Sequence, residues 1–264
     1  MSDNDNGVIT TSLVDHIFEI HVDRAAKMNG FTPEMFDGLA AAFELLDETE
    51  EAWVGLLTFA GEHTTAGLDL PRFAASMRDG SRDEAQADDR IDAFALRRRT
   101  DKPVIMAVQG ICFTIGIEMM LGVDIVVAAD NTRFAQLEPK RGLAVFGGAH
   151  VRYVQRAGWG NAMYHLLRAD EFDAERALSL GFVQEVVPVG HQTVRARELA
   201  AEICQCAPLA VREIKRAAGV YLEQGQRAAL DEIAVMRSRT ANSEDFAEGI
   251  ASFREKRAAE FKGR

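Results

Sequence analysis

The spacing of apolar residues changes character near Pro188, and that change leaves few architectures open to the chain. Before it, Trp53 to Phe59, Val104 to Val108 and Asp124 to Ala128 are short continuous apolar runs, as in strands buried on both faces. Phe18, Ile20 and Val22 instead alternate with Glu19 and His21, as in a half-buried strand. Helices fall between the runs. Thr32 followed by Pro33 reads as an N-cap and first turn, with Phe36, Leu39, Ala40 and Phe43 then at helical spacing. The stretch Asp173 to Leu180 stops at Gly181, a suitable C-cap. From about residue 191 the pattern is helical throughout, with breaks near Pro208, Gly225 and Ser243. The expectation is an α/β body over residues 1–190 and a helical region over residues 191–264. In the latter, Phe246, Ile250 and Phe253 share one helix face, which either meets a partner subunit or covers the chain's own core.

Several classes of protein are disfavoured. A chain of 264 residues, 47% hydrophobic, can bury a sizeable core, which argues against intrinsic disorder. Lys plus Arg number 30 against 41 Asp plus Glu, a net charge of −11, so no global positive field draws in nucleic acid or anionic lipid. The most apolar stretch, 103–129, contains Glu118 and Asp124, and its charge-free part is 15 residues, short of a membrane span. The start, MSDNDNGVIT, has neither the basic nor the apolar segment of a secretory signal. The odd number of cysteines (Cys112, Cys204, Cys206) suits reduced thiols. A soluble cytoplasmic protein is expected. Metal and serine-nucleophile motifs are missing, and Gly158-x-Gly160 lacks the third glycine of a dinucleotide fingerprint. Residues 79–101 are densely charged with a thin apolar stripe (Ile91, Phe94, Leu96), and are expected to form a solvated helix or mobile segment without chemistry.

Glu118 is the anomaly, because nearly every neighbour in GICFTIGIEMMLGVDIVVAA is apolar and a buried carboxylate needs a partner or a task. A structural pairing with a distant Arg is one explanation. The other is chemical. A helix starting near Thr114 would leave the Ile115 N–H unused in its first turn, with Glu118 three residues on and leaning toward it. Glu138 precedes Pro139, which should hold it in a loop. In Ala66-Gly67-Leu68-Asp69-Leu70, the glycine can bend the chain and free a second amide. Two converging N–H groups and two carboxylates are the parts of an oxyanion hole with acid/base partners.

These segments, with Val108-Gln109-Gly110, Asp124 and Phe134-Ala-Gln-Leu-Glu138, resemble the crotonase (enoyl-CoA hydratase/isomerase) family over about residues 8 to 260. The resemblance implies a crotonase-like spiral of β-β-α units, an acyl-CoA site in the 1–190 core, and trimers, often paired as hexamers, built by the helical region. It also implies that the Leu68 and Ile115 N–H groups bind an acyl-CoA thioester oxygen, that Glu118 and Glu138 are catalytic, and that Asp124 is structural. Ala66, Asp69 and Leu70 fall to the substrate site, and Arg24 or Lys27 to the coenzyme A phosphates. No metal or separate cofactor is implied, coenzyme A being part of the substrate. Thr114-Ile115-Gly116 stands where the family commonly has a glycine triplet, and Leu68 where a small Ala is frequent. The function expected is hydration of a 2-enoyl-CoA, with 3-enoyl-CoA isomerisation, or a non-catalytic CoA-binding or assembly role, as alternatives.

Overall fold

The computed structural model describes residues 6–74, 76–79 and 90–264. Ten of the residues in the charged 79–101 segment, 80–89, therefore lie outside the described residues, as does most of the acidic N-terminus.

The strands are β1 (Val8–Val14), β2 (Ile17–Asp23), β3 (Val54–Phe59), β4 (Val104–Val108), β5 (Ile111–Phe113), β6 (Ile125–Ala129), β7 (Arg133–Ala135), β8 (Phe172–Asp173) and β9 (Glu185–Val187). The helices are α1 (Pro33–Glu48), α2 (Leu70–Phe73), α3 (Ser76–Asp79), α4 (Ile115–Gly122), α5 (Ala149–Arg168), α6 (Ala174–Ser179), α7 (Gln192–Cys204), α8 (Pro208–Gln224), α9 (Gln226–Ala241) and α10 (Glu244–Glu255). The larger sheet runs β1-β2-β3-β4-β6-β9, antiparallel only at the β1–β2 edge, and the smaller one runs β5-β7-β8.

Chain order alternates between the sheets. β4 belongs to the large sheet, β5 to the small one, and α4 follows; β6 and β7 repeat the step before a 3-10 turn over Glu138–Arg141. β3 starts an equivalent unit, whose second strand is reduced to a bridge between Thr65 and Cys112. This is the expected β-β-α spiral.

The apolar runs are buried as their composition requires, since every residue of β3 and β4 is covered. One sheet face packs on α1, α4 and α5 through Leu39, Phe43, Leu57, Met106, Met120 and Tyr153. The other face is closed by α7, whose Ala196 and Ala200 sit on Val54, Leu56, Ile105 and Val127. The first helix after residue 191 is thus a layer of the sheet body, and the helices projecting from it begin at Pro208.

Local stop and start signals act as read. Thr32 Oγ1 accepts the Met35 N–H at 3.3 Å, Gly181 turns with φ +72° after α6, and Pro208, Gly225 and Ser243 separate the last helices. Asp124 is a brace: its Oδ2 accepts from the Val104 N–H at 2.8 Å and from Lys215 Nζ at 2.7 Å. Lys215 also donates to the Lys102 carbonyl, tying α8 to the head of β4.

Candidate active site

The second strands of the three units align. Thr65 pairs with Cys112, and Cys112 with Phe134. Three residues beyond these come Leu68, Ile115 and Leu137, the last followed by Glu138. Each unit therefore delivers one segment of the site from the same place in its turn, although the segments are far apart in sequence.

Gly67 bends the first segment with φ +109°, a conformation that disfavours any side chain. Its N–H is taken by Thr65 Oγ1 at 3.0 Å and that of Asp69 by the Phe31 carbonyl at 2.9 Å, whereas the Leu68 N–H between them has no partner among the described residues. In the second segment Thr114 donates to the Ala135 carbonyl at 2.8 Å, and the N–H groups of Ile117 and Glu118 turn back to the Thr114 carbonyl. The Ile115 N–H, at the start of α4, is likewise unpartnered among the described residues. Thr114 reaches this turn with φ +51° and ψ −113°, an unusual conformation for a β-branched residue. Such backbone strain persists only where surrounding packing holds it.

Leu68, Ile115, Ala66 and Leu70 border a cavity of about 430 Å³ that is also lined by Glu118 and Glu138. Glu118 is 1% exposed. Its carboxylate has no salt-bridge partner among the described residues, which answers the question of a hidden Arg; Arg152 instead donates to the Glu118 backbone carbonyl at 3.4 Å. The carboxyl faces the start of α5, where Ala149 N–H donates to Oε1 at 3.1 Å and Gly147 N–H also contributes. A Cβ on Gly147 would lie 2.5 Å from Oε2, so only glycine permits this approach. Burial pushes Glu118 up to about 7, opposed by the Ala149 N–H and reinforced by the charge of Glu138.

Glu138 departs from the loop expected of it. It is buried and begins the 3-10 turn, where Pro139 is tolerated because first-turn N–H groups need no intrahelical acceptor. Burial pushes its carboxyl up to about 7 as well. Its Oε2 is buried and accepts no hydrogen bond among the described residues, a polar atom left unsatisfied beside the cavity.

The comparisons with known proteins agree with this geometry. A family profile described as enoyl-CoA hydratase/isomerase matches residues 14–264. The chain belongs to the enoyl-CoA hydratase/isomerase family. Its relatives include the enoyl-CoA hydratase EchA19 of Mycobacterium tuberculosis (strain ATCC 25618 / H37Rv), 32% identical over 94% of each chain. The carnitinyl-CoA dehydratase of Proteus mirabilis (strain HI4320) is also 32% identical, over 94% of this chain and 95% of the relative. Among solved structures, one described as a probable enoyl-CoA hydratase/isomerase from Mycobacterium abscessus superposes with a TM-score of 0.91 at 36% identity, covering 99% of this chain and 100% of that one. An enoyl-CoA hydratase from Bacillus anthracis gives 0.89 at 25% identity, covering 98% of this chain and 100% of that one.

In this enoyl-CoA hydratase/isomerase family member, Arg24 lies in the interior. Its guanidinium is buried, donating to the Gly30 carbonyl at 2.6 Å and to Asp69 Oδ2 at 2.9 Å. Arg24 and Asp69 thus brace the Leu68 turn from behind, and neither borders the cavity; Lys27 is exposed beside them and does not border it either. Charge patterning missed Gly147, Ala149 and Arg152, whose one sequence signal is the glycine pair ahead of a helix. It also missed residues 90–97, several of which form the cavity wall. Among the described residues no cluster of His, Cys, Asp or Glu is placed to hold a metal ion, and no helix is long and apolar enough to cross a membrane.

Proposed function

We propose that the chain adds water across the double bond of a 2-enoyl-CoA thioester. The observation that carries this reading is the shared cavity of two unpartnered amides and two carboxyls with raised pKa. A thioester oxygen held by the Leu68 and Ile115 N–H groups is polarised, and the enolate formed when water attacks the β carbon is stabilised by the same donors. Glu118 takes the proton from the attacking water, and Glu138 gives a proton to the α carbon.

The hydrogen bonds support this division of roles. Two N–H groups at the start of α5, those of Ala149 and Gly147, favour the ionised form of Glu118, whereas only its own backbone N–H does so for Glu138, whose Oε2 accepts no hydrogen bond among the described residues. One proton shared by the pair at neutral pH suits a base beside an acid. Coenzyme A enters as part of the substrate, with no metal or nicotinamide required. An acyl-CoA panel followed by mass spectrometry tests the reading through the mass gain of water; a panel without hydrated product overturns it.

Isomerisation of 3-enoyl to 2-enoyl thioesters is the second reading, and one observation favours it. Glu118 is engaged by backbone donors while the Glu138 Oε2 accepts no hydrogen bond among the described residues, so a single carboxyl could move the proton between carbons.

A further inference from the structure

Part of the cavity wall is made by residues the reaction does not use. Phe36, Phe73 and Phe94 line it together, with Leu143 and Phe146 also on the cavity surface. The Phe36 ring lies 5.6 Å from Phe94 at 57° and 6.0 Å from Phe73 at 84°, tilted and edge-on contacts of the kind aromatic side chains prefer.

This wall is built rather than incidental. Asp92 accepts the N–H groups of Phe94 at 2.9 Å, Leu96 at 2.9 Å and Arg97 at 3.0 Å, closing the backbone into a turn. Arg152 then donates to the Ala95 carbonyl at 2.8 Å while its other nitrogen reaches the Glu118 carbonyl. Two glycines let the turn come close: a Cβ on Gly122 would lie 2.8 Å from the Phe94 carbonyl, and one on Gly148 would lie 2.5 Å from Leu96. Phe94 is therefore held against the catalytic helix itself, and the wall is preorganised.

A cavity of about 430 Å³ is in the range that encloses a drug-sized ligand. We infer that this site selects a bulky, ring-bearing acyl group, whose ring packs among Phe36, Phe73 and Phe94. The inference rests on the thioester reading of the same cavity. A ring is favoured over a straight chain because it can join the tilted and edge-on arrangement already present without losing rotatable freedom.

Calorimetry on the full chain with saturated, unreactive thioesters separates the acyl preference from catalysis. The probes are butyryl-CoA, 3-phenylpropanoyl-CoA and the straight-chain thioester with the same carbon number as the latter. The aryl thioester is expected to bind about tenfold or more tighter than butyryl-CoA, and tighter than its straight-chain counterpart. Phe94→Leu, which keeps an apolar side chain in the wall, is expected to shrink the aryl to straight-chain ratio toward one. Equal binding of all three probes, preference for the straight chain, or an unchanged ratio in Phe94→Leu overturns the inference. Tight aryl binding without turnover of the matching 2-enoyl thioester supports it while overturning the hydratase reading. If none of the three binds, the thioester reading falls and takes the inference with it.

Discussion

A methyl group on Gly67 would collide with the Thr114 hydroxyl, so the turn bearing Leu68 and the helix start bearing Ile115 meet through these two residues. Their packing, together with the Thr65–Cys112 bridge, sets the separation of the two unpartnered amides. Gly67→Ala adds strain at φ +109° and forces the two segments apart. Stability is expected to fall by about 1–3 kcal/mol, and turnover by roughly 10²- to 10³-fold, the size of losing one oxyanion donor. Steady-state kinetics of the folded variant, beside its thermal melt, check both figures.

The carboxyls are expected to act as a pair. Glu118→Gln and Glu138→Gln preserve shape, and each should lower hydration by roughly 10²- to 10⁴-fold while leaving thioester affinity nearly intact. A Glu118→Gln enzyme with parental hydration would refute the two-carboxyl mechanism. Loss of hydration with retained isomerisation would transfer the assignment to the single-carboxyl reading.

Both carboxyls titrate near 7 in the folded chain against 4.5 as the reference value, and this fixes how stability changes with pH. Below about 4.5 both groups are protonated whether or not the chain is folded, and their contribution is fully present. As pH rises toward 7 the unfolded chain gives up these protons first, so stability is lost through that window and levels off above it. Glu118→Gln removes one such group and is expected to be more stable than the parent at about pH 8, by on the order of 2–3 kcal/mol, and nearly equal below about pH 5. Urea unfolding at the two pH values measures the difference. For activity, the pair should give a bell-shaped kcat/KM profile with apparent values on either side of neutrality that belong to both groups together.

What was legible in the sequence follows the range of the interactions involved. The Thr32 cap, the stop at Gly181 and the breaks at Pro208, Gly225 and Ser243 are local backbone chemistry, and the structure has them where the pattern puts them. Glu118 stood out because a lone carboxylate in an apolar run is visible without any fold. The alignment of Thr65, Cys112 and Phe134 is another matter, since it depends on strand pairing between distant segments; family resemblance, rather than periodicity, joined Leu68 to Ile115. The wall at residues 90–97 was hidden for a third reason. Its backbone is shaped by the Asp92 carboxylate and by Arg152, so Ile91, which is 1% exposed, and Phe94 lie in no helix although their spacing of three residues suits one.

Asp124 offers a control outside the cavity. Replacing it with Ala strands the Val104 N–H and removes the counter-charge of the Lys215 ammonium, which keeps its bond to the Lys102 carbonyl. A loss of about 1–3 kcal/mol is expected, with thioester affinity and KM unaltered in the folded fraction. Chemical unfolding and kinetics on the same sample separate the two, and a large KM change would place Asp124 nearer the chemistry than its contacts do.

Assembly is expected from what the helices after Pro208 leave uncovered. Phe246 is 50%, Ile250 40% and Phe253 86% exposed on α10, while α8 and α9 add Tyr221, Leu230 and Ile233. Apolar side chains in this number are poorly tolerated by water when they lie together on amphipathic helices, and burial against identical copies removes them. The homo-trimer, alone or paired into a hexamer, that the family resemblance implies is the state to test. Two ion pairs join α8 to α9, Glu213 with Arg239 and Arg216 with Glu232, and Glu213 also meets Arg216 within α8. Phe253→Glu places a charge at the most exposed of these residues and should shift the mass from trimer toward monomer without unfolding the sheet body. Light scattering of parent and variant measures this directly, and a parent chain that is monomeric and active at working concentration would defeat the expectation.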